Sequence, residues 1–109
     1  MAYDETLAAR VRTFIGNDPA VTEKRMFGGL AFMYRGNMAV GVRDDRLIVR
    51  IPAEEHETLA TLQGVADFDL TGRPMKGWIL VESNTVADDE RLAQWVDRGV
   101  SFANSLPPK

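Results

Sequence analysis

The sequence predicts an α+β fold, an antiparallel β-sheet of four to five strands with about three packed α-helices, on three observations. Residues 26–51, MFGGLAFMYRGNMAVGVRDDRLIVRI, hold strand-like runs joined by two short polar turns. A helical apolar stripe precedes this core, at Leu7, Val11, Phe14 and Ile15, and another follows it, at Leu92, Trp95, Val96, Val100 and Ala103. Residues 78–82, WILVE, add a buried strand close to the last helix.

In chain order, Asp4 is placed to cap the first helix through its carboxylate, and Gly16-Asn17-Asp18-Pro19 stops it. Residues 21–27 enter the sheet as a short edge strand, and the Gly28-Gly29 pair marks a bulge or sharp bend. Residues 30–35 and 38–43 form a hairpin across Gly36-Asn37, a pair that tolerates positive φ. Asp44-Asp45 turns the chain into a third, β-branched strand over residues 46–51. Pro52 fits the first turn of a second helix, with Glu54, Glu55 and Glu57 near its positive end, Leu59 and Leu62 as anchors and Gly64 as its stop. Residues 65–70 lead into a loop, residues 71–77, punctuated by Gly72, Pro74 and Gly77, with Met75 packing inward ahead of the strand at 78–82. The last helix starts near Asp88 or Asp89, and Pro107-Pro108 marks its frayed end.

Two-residue loops would set Met33 opposite Val40, Val42 opposite Leu47, Val40 opposite Val49 and Met38 opposite Ile51. One sheet face is then almost wholly apolar. The other carries Leu30, Phe32, Tyr34, Ile48 and Arg50 beside small residues. On this reading Phe32, Tyr34, Ile48 and Arg50 form an interaction surface, with Arg50 against Tyr34 in a cation–π contact, and the surface can serve as a homodimer interface. The alternative is that the final helix crosses to this side and completes a two-sided core.

With 109 residues, the chain suits one domain over 1–109 with a modest core of its own. It has no cysteine, which excludes a disulfide framework and a thiolate metal site and is compatible with the cytoplasm as its location. The first residues lack the basic-then-apolar pattern of a signal peptide, and no apolar run approaches a membrane span. The formal net charge of −3 argues against specific DNA binding by this chain alone. Lys24 with Arg25 and Arg73 with Lys76 are the tight basic pairs; they read as solvated charges, or as contacts to a small molecule or nucleic acid.

Catalytic patterns are sparse. His56 is the sole histidine and is expected at the surface; it lacks the second histidine of a helical zinc motif. Glu54 and Glu57 stand three apart, as metal ligands can, but acidic residues in a first helical turn already answer to the macrodipole. Asp67 and Asp69 flank Phe68 as alternation in an exposed segment would place them, and Ser83, Ser101 and Ser105 have no nucleophile context. No catalytic residue, cofactor or metal ligand is assigned.

Met26-Phe27-Gly28-Gly29, then Phe32, the Gly36-Asn37-Met38-Ala39 turn and Leu47, and later Met75-Lys76-Gly77-Trp78 resemble the N-terminal domain of the TfoX/Sxy family. The resemblance covers nearly the whole chain. It implies helices packed on an antiparallel sheet and no known catalytic residues. Full-length TfoX-type proteins are positive regulators of competence genes with an additional C-terminal domain, and the 109 residues correspond to the N-terminal domain alone. The expectation carried over is therefore a non-enzymatic regulatory module acting through protein contacts. The alternative is a small-molecule or nucleic-acid binding module using Lys24, Arg25, Arg73 or Lys76.

Overall fold

Six strands form one antiparallel sheet, in the order β1-β2-β3-β4-β6-β5, in a computed structural model that describes residues 3–26, 28–69 and 74–108. The elements are α1 (Glu5–Ile15), β1 (Val21–Met26), β2 (Gly29–Tyr34), β3 (Asn37–Arg43), β4 (Arg46–Arg50), α2 (His56–Ala60) after a 3-10 turn at Ala53–Glu55, β5 (Val65–Asp69), β6 (Pro74–Val81), α3 (Ser83–Val86) and α4 (Asp89–Ser105). The sheet thus has six strands where four to five were expected, and four helices where about three were. The added strand is β5, over residues where the sequence predicts the approach to a loop. Its two aspartates break the apolar pattern, and its pairing with β6 shifts between Asp67 and Asp69. The added helix, α3, is a single turn.

The helix ends follow their local chemistry. Asp4 caps α1 by accepting from Thr6 N and Leu7 N at 2.8 and 3.2 Å, and Asp88 caps α4 by accepting from Arg91 N at 3.0 Å. The second helix is shorter than expected. It ends at Ala60, so Leu59 is buried while Leu62 is 46% exposed and anchors nothing.

The β3–β4 hairpin has the expected register, with Val42 opposite Leu47 and Val40 opposite Val49 across Asp44-Asp45. The β2–β3 hairpin does not. Its turn is Arg35-Gly36, with φ of 52° and 87°, and Tyr34 pairs with Asn37. Two successive positive φ values define the turn type whose twist matches a hairpin, and glycine takes the second of them without strain. Asn37 is drawn into the sheet instead of the loop because its side chain is buried and donates from Nδ2 to the Pro107 carbonyl at 2.9 Å. One step further on, Met33 pairs with Met38 but Phe32 pairs with Val40, which leaves Ala39 as an extra, bulged residue. That bulge reverses the face assignment of β2. Phe32 lies with Val40, not Met33, and Met38 lies away from Val40.

Two apolar clusters result, one on each face. The first joins Leu30, Phe32, Val40, Val42, Leu47, Val49, Ile79 and Val81 to Leu7 and Val11 of α1, Leu59 of α2, Val86 of α3, and Leu92 and Val96 of α4. The second comes from strands alone: Ala31, Met38, Ile48, Phe68 and Leu80, with Met33 and Trp78 half-buried beside them. The long helix α4 sits close against β3. A Cβ at Gly99 would stand 2.5 Å from the Ala39 carbonyl oxygen and 2.6 Å from Val40 Cγ1, so the approach depends on the absent side chain.

Candidate interaction surface

The four residues expected to share a surface are divided between the two faces. Phe32 is 1% exposed within the helix-covered core, and Tyr34, two residues along β2 and paired with Val21, points the same way. Ile48 is fully buried in the strand-built cluster, and Arg50 follows it on that face. The grouping rested on a β2–β3 register that the Ala39 bulge undoes. Tyr34 has Arg35, not Arg50, over its ring, at 5.6 Å.

Arg50 is held by other aromatics. It ends β4 directly opposite Trp78 of β6, and directly paired residues share a face, so its guanidinium carbon lies 5.1 Å from the Trp78 ring centroid. Phe102, near the C-terminal end of α4, comes within 5.6 Å of the same group. Among the described residues Arg50 pairs with no carboxylate. Its hydrogen-bond donors are therefore oriented by two rings without being used by a counter-ion. Met33 and Trp78 stand half-buried on the same face. Trp78 could have been found from sequence by pairing the strand at 78–82 with β4; Phe102 had no such signal, since it flanks the helical stripe.

His56 is a correction. Expected at the surface, it is only 7% exposed and ties three elements together. Its Nδ1 accepts from Gly77 N–H of β6 at 2.9 Å, so the proton sits on Nε2, which donates to Asp67 Oδ1 of β5 at 2.7 Å. A histidine beside a carboxylate resembles the acid–base pair of many hydrolases. Here one ring nitrogen is taken by a backbone N–H, where a catalytic pair would present a nucleophile's hydroxyl. The arrangement is architectural. It fastens α2 to the β5–β6 edge.

Residues 15–103 match the family described as the TfoX N-terminal domain, a match that spans most of the chain. The chain belongs to the TfoX N-terminal domain family. No curated protein and no solved structure matches it. The motifs that resembled the family have identifiable places in this TfoX N-terminal domain: Met26 and Gly29 close the β1–β2 hairpin, and Gly77 presents its N–H to His56 beside Trp78.

Among the described residues, the basic groups of this TfoX domain do not assemble into a patch. Lys24 and Arg25 are exposed neighbours on the edge strand β1, so alternation sends them to opposite faces. Lys76 is exposed, and Arg73 lies outside the described residues, as does the side chain of Met75. Other arginines are already paired: Arg10 with Asp89 at 2.7 Å, Arg12 with Glu23 at 2.7 Å and Arg98 with Glu55 at 3.2 Å. The Arg12–Glu23 contact is bidentate, and that bond holds the Glu23 carboxyl below its ordinary value and raises Arg12. A depression of about 290 Å³ does contain Arg43 and Arg46, but Asp44 and Asp67 line it too, which cancels its attraction for an anion. Among the described residues no group of three or more His, Asp or Glu is arranged to hold a metal, and no helix is long and apolar enough to cross a membrane.

Proposed function

We propose that this TfoX N-terminal domain is a non-enzymatic regulatory module that works by protein contact, made through the strand-built face around Arg50. One observation carries the reading: the Arg50 guanidinium lies over Trp78 and Phe102 with no carboxylate partner among the described residues. Arginine and tryptophan are the residue types that most often dominate interface energy, and a side chain already held in place loses less entropy when it is bound. Half-buried Met33 adds an adaptable apolar contact nearby. The matching partner surface offers carboxylates or carbonyl oxygens to the guanidinium. A second copy of this chain, with its net charge of −3, is one such partner.

The test is capture of a partner from the native cell by wild-type domain and by Arg50→Glu, with circular dichroism to confirm that both are folded and sedimentation to read self-association. Arg50→Glu is expected to stay folded and lose the partner, or the dimer if the partner is a second copy. Equal capture and equal sedimentation by both proteins would contradict the proposal.

A further inference from the structure

On the opposite side of the molecule, the C-terminal end of α1 and the outer flank of α4 enclose a groove of about 510 Å³. Its apolar lining comes from Phe14 and Ile15 of α1, Val21 at the start of β1, and Val96 and Val100 of α4. Phe14 continues the buried stripe of α1 past the point where the sheet covers it and is 40% exposed. The rim is acidic. Asp18, Glu90 and Asp97 border the groove, and among the described residues no lysine or arginine lines it.

Two arginines of α1 are committed to other carboxylates. Arg10 is held by Asp89 and Arg12 by Glu23. The Glu90 and Asp97 side chains make no ion pair or hydrogen bond among the described residues, and Asp18 accepts from Ala20 N–H through one oxygen. The α4 residues on the groove run from Glu90 through Ala93, Gln94 and Asp97 to Val100, a stripe of about 15 Å at the helical rise. That length matches a few turns of a docked helix better than a compact small molecule.

We infer that the α1–α4 groove docks a basic amphipathic helix of a partner protein, with apolar side chains at i, i+3, i+4 and i+7 on Phe14, Ile15, Val21 and Val100, and lysines or arginines meeting Asp18, Glu90 and Asp97. This is helix-in-groove recognition with charge complementarity fixing the sign of the partner. It rests on the reading of the domain as a protein-contact module and adds a second surface, opposite in charge preference to Arg50. A partner that engaged both surfaces would present a basic helix to one and an acidic patch to the other.

The probe is an amidated leucine–lysine peptide with leucines at helical spacing, titrated into isotope-labelled protein, beside a leucine–glutamate peptide of the same pattern. The leucine–lysine peptide is expected to move the amide signals of Phe14, Ile15, Ala93, Val96 and Val100. The double variant Glu90→Lys with Asp97→Lys, checked for folding by circular dichroism, is expected to weaken it by about tenfold or more and to bind the glutamate peptide instead. Phe14→Ser is expected to weaken both. Absence of binding, signal changes centred elsewhere, or affinities indifferent to these variants would overturn the inference. Native-cell capture separates the two proposals. Partners held equally by wild type and by the double variant remove the groove while the contact module stands; a wild-type domain that captures no more than an unrelated domain of equal charge removes the module itself.

Discussion

The two faces of the sheet are built from different materials. The fully buried part of the helix-covered face is aliphatic, with valine, leucine and isoleucine from strands meeting leucine and valine from four helices around a single phenylalanine, Phe32, while Tyr3 and Trp95 pack at its margin. The other face gathers Met33, Met38, Phe68 and Trp78 around Ile48 and Leu80, and two arginines lie over its rings, Arg43 on Phe68 and Arg50 on Trp78. Branched aliphatics in defined rotamers suit a fixed interior, whereas methionine, tryptophan and arginine suit a surface that changes partners. The first face holds the fold. The second has a buried strand-built cluster of its own, and its half-buried margin, at Met33, Arg50 and Trp78, is the surface proposed for contact.

Adjacent residues of one strand offer the sharpest way to break that division. Phe32→Ala empties the helix-covered core and is expected to cost about 3–5 kcal/mol, whereas Met33→Ala, half-buried on the other face, is expected to cost less than half as much. Equal losses in denaturant melts would show that both faces hold the fold alike. A smaller effect is expected at Gly99, where α4 meets β3. Gly99→Ala would gain about 1 kcal/mol of helix propensity, but the added methyl meets the Ala39 carbonyl, so a net loss of about 1–3 kcal/mol is expected. A stabilised variant would contradict the close approach.

His56→Ala leaves the buried Gly77 N–H without an acceptor and frees the β5–β6 edge, at an expected cost of about 1–3 kcal/mol. Hydrogen exchange should then quicken at Gly77 and along β5 before it does in β2 and β3; uniform quickening would speak against a local fastening. The smallest effect belongs to the exposed Arg12–Glu23 pair, about 0.5 kcal/mol. Because Arg12 lowers the Glu23 carboxyl in the folded state, its contribution is present at neutral pH. It is lost as pH falls below the ordinary glutamate range through the depressed folded value. The stability difference between wild type and Glu23→Gln should shrink over that acidic interval, and a difference that grew there would reverse the assigned sign.

Where local chemistry decides the structure, the sequence was readable. The Asp4 cap, the end of α1, the Asp44-Asp45 turn and the start of α4 all follow from side chains within a few residues of each other. Where a distant residue decides it, the reading failed. Gly36-Asn37 is good turn chemistry, but Asn37 is claimed by the Pro107 carbonyl, 70 positions away, and the displaced register is absorbed by the bulge at Ala39. The bulge, and not the shifted turn, carries Phe32 from the supposed contact face into the core. His56 was misplaced for a similar reason, since its partners lie on strands that follow it by 11 and 21 residues. Of the expected surface, Arg50 remains, and its ring partners became visible only once β4, β6 and α4 were brought together.

The division of labour between the faces is tested most directly by methyl-labelled methionine and indole signals, followed while the partner captured from the native cell is added to the folded domain. The Met33 methyl and the Trp78 indole are expected to move or broaden as the complex forms, and Arg50→Glu is expected to abolish both changes. A complex that forms while Met33 and Trp78 stay unmoved would contradict the assignment of the strand-built face as the surface of contact.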